Sequence, residues 1–265
     1  MRRERGFTLT ELAVVLTVVA LLLLSLMYTL QAQTEQRARE DTLRRLEEAR
    51  ELLISFALVH GRLPCPASGA SNGDELPAGG GTCTNPLNGF LPARTIGFQP
   101  IDADGYAYDA WGNRIRYALA LNAGNPTGGS GCTATIPAFS SAVNFKTNGI
   151  ACAPVNLVVC DASLNTASAA TPSNPPSCGT WAMAGHARPV TNQRTVVAIV
   201  HSPGKNFATN SAPGADELEN LDNDGVFVWH EPRPGGAQGG EYDDLMVWIP
   251  AGVLYGRLVA AGVLP

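Results

Sequence analysis

The sequence predicts an α+β fold in which one long N-terminal helix lies against an antiparallel β-sheet. Three observations predict it. The stretch from Leu12 to His60 holds no helix breaker and changes from apolar to amphipathic before Gly61 and Pro64 close it. Beyond it, short apolar runs near 115–117, 194–201, 226–229 and 245–249 alternate with Gly-, Pro- and Asn-rich connections, the pattern of strands and turns. The 28 glycines and 19 prolines among 265 residues lie above the usual share but below low complexity, so the fold is loop-rich. At 45% hydrophobic and 15% charged residues the chain is not a disordered tail. Its net charge of -5, with no block of five like charges, offers no basic surface, and nucleic acid is not an expected partner.

Met1–Gly6 is a short leader with Arg2, Arg3 and Arg5 against one acid, Glu4. It runs into an apolar stretch from Leu12 to Leu30, about 28 Å long at ~1.5 Å per residue, close to the hydrocarbon thickness of a bilayer. A single transmembrane helix is expected, with the preceding arginines keeping the N-terminus in the cytoplasm and everything after residue 30 beyond the cytoplasmic membrane. The run passes Gln31-Ala32-Gln33 without the cleavage site of an ordinary secretory signal. Residues 31–60 then continue the helix, with Leu43, Leu46, Leu53, Ile54 and Ala57 at helical spacing among charged residues. Glu11, at the edge of the apolar run, is costly there without a neutralising partner and calls for a cation.

Gly6-Phe7-Thr8-Leu9-Thr10-Glu11-Leu12, followed by an apolar helix, resembles the class III signal of the type IV pilin and pseudopilin superfamily. The resemblance implies cleavage between Gly6 and Phe7 by a prepilin peptidase, N-methylation of Phe7, and an assembly role for Glu11. Glu11 of one subunit would pair with the new amino group of a neighbour inside a filament. Loss of the leader removes three positive charges and one negative, taking the net charge from -5 to -7. The implied organisation is a cleaved leader at 1–6, a membrane and filament-core helix at 7–30, its amphipathic continuation at 31–60, and an exported β-rich head at 61–265. The fold it implies is pilin-like, with elaborated disulfide-bonded loops on the head.

All six cysteines, Cys65, Cys83, Cys132, Cys152, Cys160 and Cys178, follow the membrane stretch, as suits disulfides in an oxidising compartment. They allow fifteen pairings; Cys65 with Cys83 is preferred because the two flank one loop. Gly61-Arg62-Leu63-Pro64-Cys65-Pro66 leaves the helix as a proline-stiffened extended chain. Asp109-Ala110-Trp111-Gly112-Asn113-Arg114-Ile115-Arg116-Tyr117 reads as a turn entering a strand, with Ile115 and Tyr117 on one face. It resembles the Asp-Pro-Trp-Gly-Asn-Pro-Tyr stretch of the major pseudopilins of type II secretion, although Ala110 and Arg114 replace both prolines. Residues 119–190 read as an elaborated, turn-rich surface region with a strand at Val155–Val159. Arg194–His201 reads as a central strand buried on both faces. Val226–Trp229 and Leu245–Ile249 complete an antiparallel sheet, with Trp229 and Trp248 as sheet packing.

Asn220-Leu221-Asp222-Asn223-Asp224-Gly225, with Glu231 six residues on, has the spacing of an EF-hand loop in which Asn220 replaces the first aspartate. Asp243 and Asp244, across the proposed hairpin, are further candidate ligands. No cofactor is required and calcium is the candidate metal, as some pseudopilins bind it in a C-terminal loop. Against it, Val226–Trp229 reads as strand, and a solvated Asp-Asn-Asp-Gly turn accounts for the same residues. Four scattered histidines, no H-E-x-x-H and no G-x-S-x-G argue against an enzyme, and Lys205 reads as a turn lysine. The function expected is structural: a prepilin-like, minor subunit of a type IV pilus or type II secretion pseudopilus. Its partners would be other pilin or pseudopilin subunits, the prepilin peptidase and methyltransferase, the inner-membrane assembly platform and the cytoplasmic membrane. The rival is a membrane-anchored periplasmic binding protein or adhesin that keeps its leader and is indifferent to Glu11.

Overall fold

The computed structural model describes residues 8–120, 123–124, 139–143, 146, 153–154, 156–163, 178, 187–192, 194–208, 213–236 and 240–264, with side chains left out at 24–30, 123, 124 and 153. The leader, Val155, Cys132, Cys152 and most of 119–190 lie outside the described residues. Helix α1 spans Leu9–His60, the length expected from its uninterrupted pattern. Gly61 ends it in the left-handed region, φ +65°, its N–H bonding Ala57 O at 2.8 Å. The chain divides into two compact units, Met1–Asp41 and Thr42–Pro265.

In the first unit the apolar side chains between Leu9 and Leu23 are exposed all round the helix, Leu12 at 55% and Leu16 at 60%. Among the described residues no helix is long and apolar enough to cross a membrane. The span expected over Leu12 to Leu30 includes the seven positions without side chains.

In the second unit Leu46, Ala49, Leu53 and Ala57 are fully buried, one stripe at three- and four-residue spacing. Burying each leucine contributes on the order of 2 kcal/mol. Leu43, expected in this stripe, is instead exposed, and Thr42 is buried with its hydroxyl accepting the Ala110 N–H at 3.1 Å. The stripe belongs to a core shared with a four-stranded sheet of order β1-β2-β6-β8. Its strands are β1 (Gly89–Phe90), β2 (Arg116–Leu119), β6 (Val196–Ser202) and β8 (Leu245–Pro250), antiparallel throughout. The central strand is β6, buried along its whole length as its continuous apolar run predicts. Ile115 and Tyr117 share the buried face leading into β2.

One expected sheet member goes elsewhere. Strand β7 (Val226–Val228) pairs in parallel with β5 (Val158–Cys160) as a separate two-stranded sheet, whose small core includes Cys160, Cys178 and Ala187. Strands β3 (Ala123–Gly124) and β4 (Ala153–Pro154) form a third, antiparallel pair. Among the described residues α1 is followed by α2 (Ala93–Ile96), α3 (Ala215–Glu219) and α4 (Ala251–Ala260), the last burying Leu254, Tyr255 and Leu258. Trp229 and Trp248 meet edge to face, centroids 6.0 Å apart, as packing residues.

Disulfides join Cys65 to Cys83, the preferred pair, and Cys160 to Cys178. Beside the first, Arg62 and Glu75 form a buried two-pronged ion pair at 2.7 and 2.6 Å. The N–H groups of Cys65 and Gly79 also donate to Glu75, so the carboxylate is fully engaged, the condition for burying it. At the Trp-Gly turn, the buried Asp109 carboxylate accepts from Trp111 N, Asn113 N and Ser202 Oγ. Arg45 of α1 donates to the carbonyls of Tyr108 and Asp109. The turn therefore joins the helix to the start of β2 and the end of β6.

Candidate functional site

The residues that carry the expected processing and assembly chemistry open the chain. Gly6 and Phe7 lie outside the described residues, and Thr8 is where the described chain begins. The Thr8 N–H and hydroxyl both donate to Glu11 Oε2, at 2.9 and 2.8 Å. In return the Glu11 N–H donates to Thr8 Oγ1 at 3.3 Å. This reciprocal pattern is a capping box: Thr8 precedes the first helical residue and Glu11 sits three positions on, so each satisfies a donor that the helix start leaves open. The negative carboxylate also lies at the positive end of the helix dipole. A cation was expected to neutralise Glu11; within the chain, hydrogen bonds from Thr8 hold it in place. The Thr8-x-x-Glu11 spacing was the signal in the sequence that identifies this partner. Immediately beyond it, Leu12, Val14, Val15 and Leu16 are 51–62% exposed. The site thus combines a preformed helix start, a fixed carboxylate and an apolar surface that lipid or other helices can cover.

The candidate metal ligands of the head do not converge on one centre. Asp222 and Asp224 group with Glu219, and Asp243 and Asp244 group with Glu217, the oxygens in each group within 4.8 Å of one another. Glu231 joins neither group, and Asn220 is buried with its amide engaged by Val228 and Asp244. Sequence reading missed Glu217 and Glu219, which come from the short α3. Crowding is visible in their electrostatics. Burial, then the charges of Asp224, Asp222 and Asp216, pushes Glu219 up to about 7; burial, then Glu217 and Glu241, pushes Asp243 up to about 6. Asp244 is also raised well above the carboxylate range, by burial and then by Glu217 and Asp243.

The described histidines are held by their own surroundings. His60 stacks on Phe56, and His230 lies against Tyr242 and pairs with Asp216 at 3.2 Å. His201 is 1% exposed in β6, with Nδ1 lacking a hydrogen-bond partner. Burial first, then the nearby Arg116 charge, lowers its pKa from 6.5 to about 3. The unfolded chain therefore binds a proton below pH 6.5 that the folded chain refuses, and stability falls as the pH drops from 6.5 towards 3. The full effect, reached below pH 3, is on the order of 5 kcal/mol. The raised carboxylates act in the opposite sense, favouring the folded chain as they protonate, so the imidazole is isolated by difference. His201→Phe is expected to lose less melting temperature than the wild type between pH 6.5 and 4. Parallel curves would refute the assignment.

No curated protein and no solved structure matches the chain. Residues 1–27, which contain Gly6, Phe7, the Thr8–Glu11 capping box and the first exposed apolar turns, match the family model of the prokaryotic N-terminal methylation motif, consistent with a prepilin signal of the type IV pilin and pseudopilin kind.

Proposed function

We propose that the chain is a structural, non-enzymatic subunit of a type IV pilus or type II secretion pseudopilus, and a minor one. A prepilin peptidase cuts between Gly6 and Phe7 on the cytoplasmic face, Phe7 is N-methylated, and residues 7–30 hold the chain in the cytoplasmic membrane with the head in the periplasm. The assembly platform then transfers it into a filament built by packing of the N-terminal helices of pilin or pseudopilin subunits. The observation that carries this reading is the methylation motif over residues 1–27. The capping box supports it, because it keeps Glu11 ordered and unprotected by burial until a neighbour's amino group is offered. The minor role is favoured by the head's elaborated loops, which a repeating major subunit would have to accommodate at every step of the filament helix.

Shearing filaments from cells that express the chain with its assembly system tests the reading. The chain is expected in the sheared fraction, at a small share of the subunits and only when the peptidase is active. Dominance in that fraction would overturn the minor role. Absence from it, with the chain retained in the membrane, would favour an anchored periplasmic binding protein or adhesin.

A further inference from the structure

We infer that residues 220–231 do not form a calcium loop, and that Asn220 instead acts as a lock joining α3, β7 and β8. In a loop of EF-hand spacing, residue 220 would turn its side chain to the ion together with Asp222 and Asp224, and Glu231 would close the shell, with oxygens at ~2.3–2.6 Å from the metal. The side chain of Asn220 is spent otherwise. It is 2% exposed; Nδ2 donates to Val228 O at 3.1 Å and to Asp244 Oδ2 at 2.7 Å, and Oδ1 accepts the Val228 N–H at 2.7 Å. Both amide hydrogens and the oxygen are thereby engaged. Asn220 caps α3, Val228 ends β7 and Asp244 immediately precedes β8, so one amide ties three elements.

The chain path separates the remaining candidates. After Gly225 the backbone enters β7, pairing with β5, and an extended strand advances about 3.3 Å per residue away from the turn. Glu231 ends up exposed and outside both carboxylate groups. Asp222 and Asp224 are used within their own turn, accepting from Asp224 N and Val226 N. The EF-hand spacing therefore reflects a turn followed by a strand.

The test uses the full-length chain in detergent and calcium alone as probe, at about 10 mM, above the ~1 mM range of weak extracellular sites. Asn220→Asp would remove the donor to Val228 O and set a carboxylate against Asp244. Its melting temperature is expected to fall by about 5–10 °C, with no recovery on adding calcium. Glu231→Gln is expected to keep the melting temperature and calcium response of the wild type, whatever that response is. A calcium-dependent rise in Asn220→Asp that the wild type lacks would overturn the inference. So would an unchanged melting temperature in that variant, or loss in Glu231→Gln of a calcium response present in the wild type. If Asn220→Asp does not accumulate, Glu231→Gln decides between the two readings.

Discussion

Asp109→Ala is expected to lower the melting temperature of the head by roughly 10 °C, a loss on the order of 3–5 kcal/mol. The carboxylate is 0% exposed and accepts Trp111 N at 2.9 Å, Asn113 N at 2.8 Å and Ser202 Oγ at 2.6 Å. Truncation leaves the buried Asn113 N–H and Ser202 hydroxyl without this acceptor, at about 1–3 kcal/mol each, and the part-buried Trp111 N–H at a smaller cost. Removing the carboxylate also recovers part of its own burial cost, which is large enough to raise its pKa despite these donors. The net loss is therefore smaller than three full penalties. The geometry makes the damage spread, because Asn113 Nδ2 donates to Gly204 O at 2.6 Å and Arg45 of α1 holds the Asp109 carbonyl at 3.0 Å. Asp109→Asn, which keeps an acceptor, is expected to lose less than Asp109→Ala. Thermal unfolding followed by circular dichroism measures both, and a fall below about 2 °C in the alanine variant would contradict the hub.

The second large effect concerns assembly. On the proposed reading, Glu11→Ala cuts the share of the chain found in sheared filaments more than tenfold while its membrane level and the melting temperature of the head stay unchanged. A methylated Phe7 ammonium buried among apolar helices without its carboxylate costs several kcal/mol, and ~1.4 kcal/mol is already tenfold. Glu11→Gln separates charge from capping, since a glutamine oxygen still accepts the two Thr8 donors. It is expected to be as deficient as the alanine variant. Normal incorporation of Glu11→Gln would show that helix capping, not charge, is what assembly requires.

Some of this architecture was legible in the sequence because the signals were local and continuous. The uninterrupted run to His60, the Gly61 stop and the five successive apolar residues Val196–Val200 each depend on backbone propensity and burial along one segment. The Cys65–Cys83 pair was readable from its shared loop. What escaped depends on partners distant in sequence. Val226–Val228 reads as strand, but nothing in three apolar residues says that Val158–Cys160 will be its parallel neighbour. Asn220 at the head of an acidic turn looks like a ligand until Val228 and Asp244 are seen to occupy its amide. The buried face of α4 was missed because Gly252 and Gly256 dilute its periodicity, leaving Leu254, Tyr255 and Leu258 to carry it. At the N-terminus the Thr8–Glu11 capping box is local, and its Thr-x-x-Glu spacing is the sequence signal for it.

Intact mass spectrometry of the N-terminus of membrane-extracted protein, from cells with and without a prepilin peptidase, tests the central claim most directly. The account predicts a chain that begins at N-methylated Phe7 when the peptidase is present and at Met1 when it is absent. A chain that keeps Met1 in the presence of an active peptidase would contradict it.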